Sequence, residues 1–171
     1  SDAAADAKKS IAVEIKKAGL SNSEFHWHDE AVSPAQDLTF SNFNLELRDI
    51  KDNSVHEIEG SGQLFSDKAK NFSISGSFEN NSGKADLKLQ SIDLKKLSSV
   101  VESYTKKPLP VSLDDVADLN AKLAFNPPEL SIQGALNASA AAIRFADSFQ
   151  KPKGDPLSVE LQGKASLLGA V

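Results

Sequence analysis

The stretch Phe72-Ser73-Ile74-Ser75-Gly76-Ser77-Phe78 decides the fold. Large apolar residues take alternate positions and serines fill the gaps. Successive side chains of a strand point to opposite faces, so Phe72, Ile74, Gly76 and Phe78 share one face and the serines share the other. The pattern returns as Leu130-Ser131-Ile132-Gln133-Gly134-Ala135-Leu136. A weaker copy is Val159-Glu160-Leu161-Gln162-Gly163-Lys164-Ala165, and a degenerate one is Ile58-Glu59-Gly60-Ser61-Gly62-Gln63-Leu64. In each copy a glycine occupies the apolar face. A glycine inside a strand leaves nothing to pack and marks a bend or a close approach of another backbone. Its repetition on one face predicts a sheet that curls toward its apolar side. The alternative is a closed β-sandwich with glycines at ordinary kinks.

Period two extends outward from these copies. Ile11, Val13 and Ile15 alternate with small or polar residues, as do Phe25 and Trp27. Ala18-Gly19-Leu20 reads as a turn between those two strands. Leu38 and Phe40 alternate, then Phe43, Leu45 and Leu47 do so in the opposite phase, which predicts a bulge at Ser41–Asn42. Ala85/Leu87/Leu89, Leu119/Ala121/Leu123/Phe125 and Leu157/Val159/Leu161 complete the set. Turn signals separate the runs at Lys51–Ser54, Asn80–Gly83, Asn126–Pro128 and Lys151–Pro156. Strands with one apolar and one wet face indicate a mostly β protein built on an antiparallel sheet.

One segment departs from this period. Asp93–Lys106 places Leu94, Leu97, Val101 and Tyr104 at helical spacing, with Asp93 able to cap the first turn and Pro108 and Pro110 ending the pattern. These four residues are expected to form the buried face of one amphipathic helix that plugs or flanks the sheet. Ser112 and Asp115 have the spacing of a capping box, so Ser112–Leu119 is a candidate second helical turn.

The 171 residues suit a single domain, read as 10–171 with a flexible lead-in at 1–9 (SDAAADAKK). The chain starts at Ser1 and contains no Met, and it is expected to be a fragment of a larger protein. Nineteen basic against twenty-four acidic side chains give a net charge of −5, which argues against duplex nucleic acid as a partner. The absence of Cys removes disulfides, Cys–zinc sites and thiol nucleophiles. No run of apolar residues is long enough to span a bilayer as a helix.

Candidate chemistry is sparse. His26 and His28 would point to the same side of a strand and could reach one metal ion, with Asp29, Glu30 or His56 as a third ligand. Phe25 and Trp27 claim the apolar face, so the two histidines are expected on the wet one and no metal is called. Gly60-Ser61-Gly62 lacks the strand-to-helix setting of a nucleophilic serine, and the acidic pairs Glu57/Glu59 and Asp114/Asp115 read as solvated faces. The chain is therefore expected not to be an enzyme and to need no cofactor. Sequons at Asn71, Asn80 and Asn137 are read as chance in an Asn- and Ser-rich chain. The pairs Lys8-Lys9, Lys16-Lys17, Lys95-Lys96 and Lys106-Lys107 are read as surface charge, with anionic lipid as the alternative partner.

The order of elements, with the strand–turn–strand ending at Asp29, the stretch Phe40-Ser41-Asn42-Phe43-Asn44-Leu45-Glu46-Leu47-Arg48-Asp49-Ile50 and the helix opening Ser91-Ile92-Asp93-Leu94-Lys95-Lys96-Leu97, resembles the AsmA-like family. That family is grouped with TamB-type proteins among the repeating β-groove proteins of bacterial envelopes. The resemblance covers about residues 10–167. It implies a periplasmic segment of a parent protein anchored in the inner membrane, whose curled sheet forms an open, taco-like groove. The groove would carry phospholipid between inner and outer membranes in envelope biogenesis, with phospholipid or another apolar ligand, neighbouring segments of the same chain and the two membranes as partners. The expected groove lining is Phe72, Ile74, Phe78, Leu130, Ile132 and Leu136. The other reading of the same apolar face is a structural or interaction module that assists outer-membrane assembly.

Overall fold

The computed structural model describes residues 13–166, apart from residues 53, 67, 69, 146 and 147. The expected lead-in at 1–9, Ile11 and Asn53 lie outside the described residues. Among the described residues, eleven strands and one helix follow in the order β1 (Glu14–Asp29), β2 (Gln36–Lys51), β3 (Ser54–Gln63), β4 (Phe72–Glu79), β5 (Ser82–Asp93), α1 (Leu94–Thr105), β6 (Val111–Asp114), β7 (Val116–Asn126), β8 (Glu129–Asn137), β9 (Ala142–Phe145), β10 (Phe149–Lys151) and β11 (Ser158–Ser166). Eight of the strands form one sheet in the order β1-β2-β3-β4-β5-β7-β8-β11, and every neighbouring pair is antiparallel. The sheet does not close, and among the described residues no further strand pairs with β1 or β11, which are its free edges. The remaining strands form a small sheet in the order β10-β9-β6.

The alternating strands expected from the sequence are present, and their turns follow the turn chemistry. Asn80 and Asn81 both adopt positive φ between β4 and β5, the geometry a tight hairpin requires. The bulge expected at Ser41–Asn42 is present: Asn42 has φ 51 and the β2–β3 register shifts between Ser41 and Asn44. Asn22, with φ 48, breaks the register of β1 alongside it. Two expectations are corrected. Ala18-Gly19-Leu20 is not a turn but the middle of a continuous sixteen-residue strand, in which Gly19 lies against the Leu45 carbonyl. Ser112–Leu119 is not helical: β6 and β7 run through it, and the one break is Asp115 at φ 75.

The helix forms where expected. The Asp93 side chain accepts hydrogen bonds from the backbone N–H groups of Lys95 and Lys96, at 2.9 and 3.1 Å, and Lys106 ends it in the left-handed conformation. Its buried stripe is rotated from the expected one. Leu94 and Ser103 are buried and Leu97 and Val100 half-buried, a run at every third residue, while Val101 and Tyr104 are exposed. The reason is what the far end meets. The buried Gln36 amide donates to Ser103 Oγ at 2.7 Å, and Ser103 in turn donates to the Ser99 carbonyl at 2.9 Å, which fixes Ser103 inward.

Buried apolar side chains cluster at one end of the sheet, with Ile92 and Ala121 buried apart from the cluster. Leu94, Ala117, Ala138 and Ala141 form the core, with Leu97, Leu113, Leu136, Ile143 and Leu157 packed against it. This core joins α1 and the small sheet to the ends of β7 and β8. The second sheet, with strands of four, four and three residues, covers no more than that end, so the closed sandwich does not form. The 18.2 kDa chain exposes 12173 Å², against about 8,000 Å² for a compact chain of that mass.

Candidate functional site: one uncovered apolar face

Cross-strand register places the apolar side chains in rows that run from one sheet edge to the other. The first row is Ile15–Ile50–Val55–Phe78–Gly83–Phe125–Leu130–Ala165. The second is Ala18–Leu47–Ile58–Gly76–Ala85–Leu123–Ile132–Gly163. The third is Leu20–Leu45–Gly60–Ile74–Leu87–Ala121–Gly134–Leu161. The fourth contains Phe72–Leu89–Leu119–Leu136–Val159. Phe43 and Phe25 extend it toward β1, with ring centroids 6.4 Å apart for Phe43–Phe72 and 5.2 Å, edge to face, for Phe25–Phe43. All six residues expected to line a groove share this face. Phe78 and Leu130 lie in the first row, Ile132 in the second, Ile74 in the third, and Phe72 and Leu136 in the fourth.

The glycines show why the sheet can curl toward this face. A Cβ at Gly76 would meet the Lys84 carbonyl and stand 3.0 Å from the Ala85 Cβ. A Cβ at Gly134 would meet the Asn120 carbonyl and stand 2.9 Å from the Ala121 Cβ. Flat antiparallel pairs hold facing Cβ atoms about 4.5–5.5 Å apart, so the strands converge on the apolar side at these positions. The six residue steps from Phe72 to Phe78 and seven interstrand steps give a face about 20 by 34 Å, or about 700 Å². That exceeds the largest apolar patch of a typical monomer, about 300–600 Å². α1 runs across the strand ends on the same side, from Leu94 against Ala117 to Ser103 against Gln36. It covers the end of the fourth row at Leu136, and among the described residues no helix or second sheet lies over the first three rows.

The opposite face is polar and carries ion pairs. Lys17 meets Glu46 at 2.6 Å and Arg48 meets Glu57 at 2.9 Å. Lys17, followed by Arg48, holds the Glu46 carboxyl below its ordinary pKa, despite an opposing contribution from burial. Three shallow grooves of about 590, 470 and 770 Å³ cross this face between rows of polar side chains, among them Ser75, Asp86, Lys122 and Gln133. Of the six residues expected to line a groove, Ile132 borders the first of these and Ile74 the second, and Phe72, Phe78, Leu130 and Leu136 border none of the three.

His26 and His28 stand on the polar face, as expected. His26 reaches Glu24 at 2.6 Å and Thr39 at 3.2 Å. His28 reaches Asp37 at 2.6 Å and Glu30 at 3.1 Å, and these two carboxylates, Asp37 first, raise its pKa above the ordinary value. Among the described residues no group of three or more His, Asp or Glu is placed to hold a metal ion. Among them, too, no helix is long and apolar enough to cross a membrane.

Three polar residues matter more than the sequence suggested. Asn71, one of the sequons, is buried. Its amide donates to the Leu64 and Gln90 carbonyls at 2.7 and 2.9 Å, and its oxygen accepts from the Leu64 N–H at 2.8 Å. This side chain ties the β3–β4 loop to the end of β5. Lys151 is buried with its ammonium donating to the carbonyls of Ser139, Ala141 and Pro152 at 3.1, 2.7 and 3.1 Å. Tyr104 donates to an Asp29 carboxylate oxygen at 2.8 Å, a bond that, with some desolvation, raises the phenol pKa. No protein-family model, curated protein or solved structure matches the chain.

Proposed function

We propose that this chain is a periplasmic, non-enzymatic segment of an AsmA-like protein anchored in the inner membrane. In this reading its curled sheet supplies an apolar groove along which phospholipid moves between inner and outer membranes. The observation that carries the reading is the set of apolar rows, which run without polar interruption from β1 to β11 and reach both free edges. A surface closed at its edges would hold a ligand; one open at both passes it on to neighbouring segments of the same chain. Each CH₂ moved from water onto such a surface contributes about 0.8 kcal/mol, enough for a lipid chain to reside without polar contacts.

The test uses Ile132→Asp and Ile74→Lys. In an uncovered groove the new charge stays hydrated, so the variants keep the wild-type circular dichroism but retain no lipid in native mass spectrometry. In a closed core an unpaired charge is severely unfavourable and the variants unfold. Unfolded variants, or a wild-type protein that retains no phospholipid, would refute the groove.

The second reading is an interaction module that assists outer-membrane assembly. It is favoured by Phe145 and Phe149, which face each other across β9 and β10 and are both exposed. Loss of a partner on Phe149→Ala, with lipid retention unchanged, would support it.

A further inference from the structure

The two free edges of the sheet are not alike. β1 and the residue before it expose Val13, Ile15, Leu20, Phe25 and Trp27, whereas β11 exposes one large apolar side chain, Val159. The chain has one Trp and one Tyr, and the fold brings them to the same corner. Trp27 is 60% exposed and Tyr104 46%, with the Tyr104 hydroxyl bound to Asp29 two residues beyond Trp27. Amphipathic aromatic rings of this kind settle at the level of lipid headgroups, the ring in the apolar boundary and the polar atom in the wet one. Lys106 and Lys107 follow Thr105, the last residue of α1, both exposed and with no ion-pair partner among the described residues. The nearby acids are engaged: Glu24 by His26, Glu30 and Asp37 by His28, Asp29 by Tyr104 and the Ala31 N–H, and Glu102 by the Leu109 N–H. The two ammonium groups are thus left to complement lipid phosphates.

We propose that the β1 edge is the mouth at which phospholipid leaves a bilayer and enters the groove. Trp27 and Tyr104 rest at headgroup level, Lys106 and Lys107 contact phosphates, and Phe25 and Leu20 lead the acyl chains onto the apolar rows. This rests on the groove reading above and adds the end at which loading occurs.

Trp27 is the only tryptophan, so its emission reports on this corner alone. The intact protein is mixed with vesicles of phosphatidylcholine and phosphatidylglycerol whose acyl chains are, or are not, brominated. Brominated chains are expected to quench Trp27. The triple variant Tyr104→Ala, Lys106→Glu, Lys107→Glu should bind the vesicles about tenfold more weakly, with an unchanged circular dichroism spectrum. Arg144→Glu, an exposed charge reversal on the small sheet, should bind as the wild type does. Trp27 emission indifferent to bromine, or a folded triple variant of undiminished affinity, overturns the mouth. If native mass spectrometry still finds retained lipid in that case, the groove stands without it. A protein that retains no lipid overturns both.

Discussion

Replacing Gly134 by Ala tests the origin of the curl. In an ordinary strand this change is stabilising by about 0.5–1 kcal/mol, because glycine gives up more backbone freedom on folding. At Gly134 the added methyl would stand 2.9 Å from the Ala121 Cβ and also meet the Asn120 carbonyl. Carbon atoms rest about 3.5–4.0 Å apart, so the contact is short by about 0.6–1.1 Å. Ala121 cannot retreat, since it is buried and held on its other side by pairing with Leu87. Overpacking of this kind typically costs about 1–3 kcal/mol. Gly163 is the control on the neighbouring edge strand. A Cβ there meets only Ile132 Cγ2, at 3.2 Å, the end of a side chain that can turn away. The expected result is a Gly134→Ala variant less stable than Gly163→Ala by about 1–3 kcal/mol, read from urea melts followed by far-ultraviolet circular dichroism. The midpoint should shift with the slope unchanged. Equal stability of the two variants, or a more stable Gly134→Ala, would refute glycine as the residue that lets the strands converge.

Two further outcomes follow from the polar residues. Lys151→Met takes the ammonium donor from the buried Ala141 carbonyl, while the Ser139 and Pro152 carbonyls keep the N–H groups of Gly154 and Asp155; it should lower stability by about 1–3 kcal/mol in the same melts, and a loss under about 0.5 kcal/mol would show that water replaces the ammonium. His28 should titrate above the ordinary histidine value, because its imidazolium is favoured by Asp37 and then Glu30. Its contribution to stability is therefore complete below the unfolded pKa, about 6.5, and is lost as pH rises through the higher folded value. Proton NMR of the ring should show the raised titration, and Asp37→Asn should lower it; an unshifted His28 in the wild type would contradict the geometry.

The repeating unit was legible because each residue in it speaks for its own face. Phe72, Ile74 and Phe78 needed no partner to declare a strand, and the reversed phase around Asn42 declared its bulge. The helix was equally local, with a cap at Asp93 and prolines behind it. The orientation of that helix was not local. Ser103 has nothing in its neighbourhood to draw it inward, and the group that does, Gln36, lies 67 residues away. Val101 and Tyr104 carry the apolar pattern that should win on composition alone, yet one buried hydrogen bond rotates them outward. Lys151 was missed for the same reason, since its acceptors are backbone carbonyls that any residue could present. The corner formed by Trp27 and Tyr104 belongs with these cases. Each ring reads in sequence as one more member of an apolar stripe, and only the pairing of Asp29 with the end of α1 sets them together at the open edge. The apolar face is thus written residue by residue, whereas what borders it is written in contacts between segments far apart in the chain. Substitutions at the border should therefore alter what enters the face without unfolding it, and substitutions at the converging glycines should do the reverse.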